Sequence, residues 1–105
     1  MEQKDFEDNI KGAALFAKLS QDTAEADFWV GYALGIRRHY HGESFGTQKG
    51  HTRRMEQLNS QYVRRRALGR GYCIGFEGKP FIEAMKPAVF SVYDTDKDDP
   101  TSKGD

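Results

Sequence analysis

A short glycine motif occurs twice in this chain of 105 residues, and it restricts how the chain can fold. Residues 31–36 and 71–76 both have the pattern Gly-Tyr-x-aliphatic-Gly-apolar, and the two copies are 40 residues apart. Similar segments at a fixed spacing are typical of a duplicated structural unit. In a helix, glycines four residues apart remove two Cβ atoms from one patch of surface, which allows a second helix to approach closely. The motif therefore predicts a duplicated helical hairpin, with chance similarity in a glycine-rich chain as the alternative.

The positions of the prolines favour helices over most of the chain. All three prolines lie at residue 80 or beyond, so the strongest helix breaker is absent from residues 1–79. Asp22 followed by Glu25 resembles a capping box, which marks a helix start. Apolar residues at helical spacing complete the pattern. Helices are expected at about residues 6–19, 22–40 and 47–59, and from residue 60 through the second glycine motif.

These elements predict an all-α fold, a small bundle of about four helices with an extended C-terminal arm. An α+β alternative stays open, because residues 68–78 contain four glycines and are poor helix material. Residues 71–76 would then form a short strand paired with residues 88–93, which are rich in β-branched and aromatic side chains. One domain is expected over residues 1–93. Residues 94–105 have no apolar side chain and are expected to form a flexible acidic tail.

The charge of the chain is concentrated in its middle, although the total is zero. Residues 37–70 hold all eight arginines and Lys49 against Glu43 and Glu56, a net charge of +7 between two acidic flanks. Clustered arginines bind phosphate bidentately and release counterions, so we expect an anionic partner, with nucleic acid the best guess. Helical geometry separates Arg64 from this surface, and we expect it to be partly buried and paired with a carboxylate. The predicted nucleic-acid contacts are Arg37, Arg38, Arg53, Arg54, Arg66 and Arg70.

Two plainer interpretations of the arginines stay open. The basic helices could pair with the acidic first helix and the acidic tail of the same molecule, or the arginines could be good helix formers on a solvated surface. An alternative function is also open, namely a protein-interaction or regulatory subunit that acts as a homodimer or adaptor. In that case the glycine-faced helices would meet a partner rather than each other.

The sequence gives little support for catalysis, and we expect a non-enzymatic protein without a catalytic residue, metal or cofactor. His39, His41 and His51 lie near Glu43, but the first two diverge by about 200° on a helix and do not share a face. Cys73 is the only cysteine, which excludes an internal disulfide and favours a reducing, cytoplasmic compartment. No segment approaches the roughly 20 apolar residues of a membrane span, and the acidic N-terminal flank does not resemble a signal peptide.

Overall fold

Residues 1–85 are described by the computed structural model, and every regular element among them is helical. The order is α1 (Gln3–Leu19), α2 (Thr23–His41), a 3₁₀ turn (Gly42–Ser44), α3 (Gln48–Glu56), a second 3₁₀ turn (Gln57–Asn59) and α4 (Val63–Phe76). A helical turn over residues 81–85, α5, follows. The all-α prediction is confirmed, and residues 71–76 are helical. The proposed strand or arm at 88–93 and the tail at 94–105 lie outside the described residues.

Local sequence sets the helix boundaries close to their expected positions. Asp22 is the N-cap of α2, and its side chain accepts a hydrogen bond from the Ala24 amide at 2.9 Å. Thr47 caps α3 in the same way, accepting from the Gly50 amide at 3.0 Å. Each cap satisfies a backbone donor that has no partner inside the first helical turn. Gly42 ends α2 with a φ of 69°, a conformation that glycine adopts without strain.

The 40-residue repeat is visible in the helices themselves. α2 and α4 begin 40 residues apart, at Thr23 and Val63, and a Ser-Gln dipeptide precedes each of them at residues 20–21 and 60–61. α2 packs on α1 in the first half of the chain, and α4 packs on α3 and its 3₁₀ turn in the second. The described chain is therefore two helical hairpins in succession.

α2 and α4 contact each other at the two glycine motifs, where each helix fits its glycines against the backbone of the other. A Cβ atom on Gly35 would lie 2.7 Å from the backbone nitrogen of Phe76, and one on Gly75 would lie 2.8 Å from that of Ile36. Each member of the first pair has its counterpart in the second, 40 positions away, as in the interface of a symmetric dimer. The contact of Gly31 with the Leu68 backbone and the contact of Gly71 with the Phe28 backbone are equivalent in the same way.

The core lies around α2. Its largest fully buried side chains are Phe28, Tyr32 and Ile36 of α2 and Tyr72 of α4. α5 packs against α1, because the ring of Phe81 fills the space that a Cβ on Gly12 would need. Among residues 1–85, no helix combines the length and the apolar character that crossing a membrane requires.

Enlarging a motif glycine should destabilise the fold. We expect Gly35→Ala and Gly75→Ala each to lower the free energy of unfolding by about 2–4 kcal/mol, because the added methyl group overlaps the backbone of the facing helix. This loss exceeds the gain of roughly 1 kcal/mol in helix propensity. Gly50→Ala is the control, since its Cβ would meet only side-chain atoms of Thr47 and Arg54. Urea unfolding followed by circular dichroism measures all three variants. Losses below about 1 kcal/mol for both motif variants would contradict the role given to the crossing.

Candidate functional site

The acidic first hairpin neutralises little of the basic zone. Within residues 1–85, a single ion pair, Arg64 with Asp27, joins residues 37–70 to the first hairpin. In α1, Asp8 pairs instead with Lys4, one helical turn away, at 3.0 Å. Pairing between the basic helices and the acidic first helix therefore does not account for the arginines.

Arg64 combines one confirmed expectation with one that is wrong. Its Nε donates to Asp27 Oδ2 at 2.6 Å and its Nη2 donates to Oδ1 at 3.4 Å, so the predicted carboxylate partner is present. The predicted burial is wrong, because the side chain is 66% exposed. Arg64 stands in the first turn of α4, before the close crossing with α2 at Gly71, and there its side chain reaches the surface.

The six predicted contact residues do not form one surface. Arg53 is exposed on α3, and Arg38 is buried in α2. Arg37 lines an apolar groove between α1 and α2, away from the second hairpin. Arg66 is half-buried in α4 and donates to the Ser60 carbonyl oxygen at 3.2 Å. The remaining two, both half-buried on the second hairpin, are Arg54 and Arg70.

The Arg38 side chain is buried and makes its hydrogen bonds inside the protein. Its side chain is only 5% exposed, with Nη1 donating to the Phe45 carbonyl oxygen at 2.8 Å and Nη2 donating to Gln48 Oε1 at 3.2 Å. A buried guanidinium needs such partners, because burying a charged group without hydrogen bonds is costly. Arg38 therefore fixes the connection between α2 and α3 rather than offering its charge at the surface.

His51 and Tyr72 lie together between α3 and α4, and the half-buried Arg54 stands beside them. His51 Nδ1 and the Tyr72 hydroxyl are 2.6 Å apart, and the Arg54 guanidinium carbon lies 5.7 Å from the centre of the Tyr72 ring. Burial, followed by the charges of Arg38 and Arg54, lowers the pKa of His51. Burial raises the pKa of Tyr72. At neutral pH the group is thus a neutral imidazole beside a protonated phenol, which joins the two helices.

The three histidines do not converge on one point. His39 Nδ1 donates to the Phe76 carbonyl oxygen at 2.8 Å, and the His41 ring meets the Phe6 ring edge-on at 5.3 Å. His51 belongs to the group just described. In the part of the chain that the structure describes, no set of three or more His, Cys, Asp or Glu side chains is arranged to hold a metal ion.

Cys73 does not have the surroundings of a reactive thiol. Burial raises its pKa, and its sulfur lies 3.6 Å from the sulfur of Met55. Reactive cysteines depend on the thiolate, which a raised pKa disfavours at neutral pH.

The glycine faces of α2 and α4 are buried inside the molecule, which bears on the alternative function as a homodimer or adaptor. Gly31 and Gly35 face α4 of the same molecule, and Gly71 and Gly75 face α2. The expectation that these faces meet a partner is therefore wrong, because they cover each other. The physical reason is the duplication, which supplies both halves of the contact in a single chain.

A surface that sequence reasoning missed lies at the start of α4. Tyr62 is the N-cap residue of α4, is 56% exposed and makes no side-chain capping hydrogen bond. The guanidinium carbon of Arg65 lies 5.0 Å from the centre of the Tyr62 ring. Tyr62 lies before the apolar periodic residues of α4, so helical periodicity does not indicate it. Aligning the two repeats places Tyr62 at the position equivalent to Asp22. A cavity of about 450 Å³ is lined by Asp27, Gln57, Tyr62, Arg64, Arg65 and Leu68.

Comparisons with known proteins found no match. No protein-family model, curated protein or solved structure matches this chain. Its function is therefore inferred from its own geometry and charge.

Protonation of His51 should make stability depend on pH. Because the pKa of His51 in the folded protein is lowered from 6.5, its stabilising contribution is fully present above pH 6.5 and is lost as the pH falls towards the folded-state pKa. Urea unfolding at about pH 7.5 and 5.5, either side of the ordinary histidine pKa, should show a smaller decline for His51→Gln than for the parent protein. His41→Gln is the control and should follow the parent. Equal declines in His51→Gln and the parent protein would contradict this account.

Proposed function

We propose that this protein is a non-enzymatic binding module of the cytoplasm whose second hairpin binds an anionic partner, nucleic acid. The observation that carries the proposal is the charge left unneutralised by the first hairpin. The second hairpin, residues 42–76, has a net charge of +5, and one ion pair joins it to the first hairpin within the described residues. A basic surface of this kind attracts phosphate groups and gains free energy from released counterions.

The proposal modifies the set of contact residues. It sets Arg38 aside, because its guanidinium is buried and hydrogen-bonded inside the protein, and Arg37, because it belongs to the first hairpin. It adds exposed cations on both helices of the second hairpin, since exposed side chains reach a ligand without rearrangement. The proposed contacts are Lys49, Arg53, Arg54, Arg65, Arg66 and Arg70.

Binding through phosphate contacts has a characteristic salt dependence. Each cation that contacts a phosphate adds roughly one unit to the slope of log K against log salt concentration. The slope therefore reports how many of these side chains take part, and it separates phosphate contacts from other contributions to affinity.

A pair of matched double variants tests the proposal. Arg53→Ala/Arg65→Ala should weaken binding of a labelled oligonucleotide at low salt and reduce the slope by about two units. Lys11→Ala/Lys18→Ala removes the same charge from exposed positions of α1 and should leave the slope unchanged. Fluorescence anisotropy over a series of salt concentrations measures both. Equal losses in the two variants, or no binding by the parent protein at low ionic strength, would contradict the proposal.

A second candidate function, a protein-interaction subunit acting as a homodimer or adaptor, is favoured by the groove on the first hairpin. The groove has a volume of about 230 Å³ and is mainly apolar, and Val30 on its border is 45% exposed. Exposed apolar grooves are common contact surfaces. Sedimentation equilibrium tests the homodimer, which requires self-association that Val30→Lys abolishes. A concentration-independent monomer would contradict it. The lining residues include Ile10, Ala14, Ala17, Val30 and Leu34.

A further inference from the structure

We propose that the ligand of the second hairpin is a single-stranded nucleic acid and that Tyr62 and Arg65 form a platform on which an unpaired base stacks. This inference rests on the proposed function and adds to it the form of the nucleic acid and the place where it is recognised. It is carried by the exposed pair of side chains, by the neighbouring cavity and by a comparison of the two hairpins.

The exposed pair has the chemistry of a stacking platform. Tyr62 presents an aromatic ring that is 56% exposed, and the Arg65 guanidinium lies over it, 5.0 Å from its centre. Both tyrosine rings and guanidinium planes stack with bases in single-stranded nucleic acids. Arg65 also carries a positive charge, so one pair of side chains offers a base contact and a phosphate contact together.

The cavity beside the platform supplies further contacts. Asp27 holds Arg64 through Nε and Nη2, which leaves Nη1 of Arg64 without a hydrogen-bond partner among the described residues and able to donate to a phosphate. Gln57 lines the same cavity. The cavity is an open depression of about 450 Å³, so a nucleotide that binds there would stay partly exposed to solvent.

The two hairpins differ in chemistry at this point. The position equivalent to Tyr62 in the first hairpin is Asp22, whose side chain caps α2, whereas Tyr62 leaves α4 without a side-chain cap. The position equivalent to Arg65 is Glu25, so the charge is reversed. Replacing a good capping residue by tyrosine is locally unfavourable. Such a departure from local preference, at an exposed position, is expected where a residue serves function.

The platform favours single strands because of where bases lie in a duplex. A paired base is stacked on both faces inside the double helix, so its faces cannot reach a protein side chain. An unpaired base has a free face, and every base type has one, so stacking tolerates different sequences. Tyr62 should therefore contribute to the binding of single strands and make little contribution to the binding of duplex.

The test compares a labelled oligothymidylate with a labelled duplex by fluorescence anisotropy at the same low salt concentration. Tyr62→Ala should weaken oligothymidylate binding about tenfold and leave duplex binding unchanged. Tyr62→Phe keeps the ring and should retain the affinity of the parent protein. Gln61→Ala changes the exposed neighbour and is the control. Circular dichroism of each variant verifies that it is folded.

The outcomes separate this inference from the function on which it rests. Unchanged oligothymidylate binding by Tyr62→Ala, or equal weakening of single-strand and duplex binding, overturns the stacking platform while the proposed function stands. A loss in Tyr62→Phe as large as in Tyr62→Ala would assign the contact to the hydroxyl group and also overturns stacking. Failure of the parent protein to bind either probe at low ionic strength overturns both proposals.

Discussion

The backbone contact between α2 and α4 joins the two hairpins into one structure. Four glycines bring the two helix backbones together, and their Cα–H groups lie against carbonyl oxygens of the facing helix. The crossing encloses two equivalent tyrosines, Tyr32 and Tyr72, and both are fully buried. The hydroxyl group of Tyr32 donates to the Lys79 carbonyl oxygen at 2.5 Å, and that of Tyr72 lies 2.6 Å from His51 Nδ1. Burying a hydroxyl group without a hydrogen-bond partner costs free energy. Each tyrosine therefore binds a further segment of the chain to the crossing of α2 and α4.

The duplication explains how one architecture can carry two different surfaces. The glycines and tyrosines of the motif recur in both hairpins, because each half of the contact needs the same close fit. Positions that face solvent are free of this demand, and they differ between the two hairpins. Asp22 and Glu25 at the start of α2 correspond to Tyr62 and Arg65 at the start of α4. A function that belongs to the second hairpin is therefore to be sought where the two halves differ.

The helices and their crossing could be predicted because their signals are local: glycine spacing, capping residues and the absence of proline. The burial and contacts of individual arginines could not be predicted, because they depend on tertiary structure. Arg38 donates to Phe45, which lies in the connection between α2 and α3, and to Gln48 at the start of α3, and no periodicity describes the path of that connection. A helical wheel correctly separated Arg64 from the other arginines, and the expected carboxylate partner is present. A wheel does not show, however, where the facing helix stops covering the surface. Tyr62 was missed because it lies before the first periodic residue of α4.

The central claim is that nucleic acid binds the second hairpin, at the start of α4 and along α3. The most direct test is a ¹H–¹⁵N correlation spectrum of the protein, recorded with and without a single-stranded oligonucleotide in excess at low ionic strength. The first hairpin is the internal control, since it has the same architecture and the opposite charge. We predict that amide shifts concentrate at residues 49–54 and 62–65 and are small at the equivalent residues 22–25. An unchanged spectrum, or shifts of equal size in both hairpins, would contradict the claim.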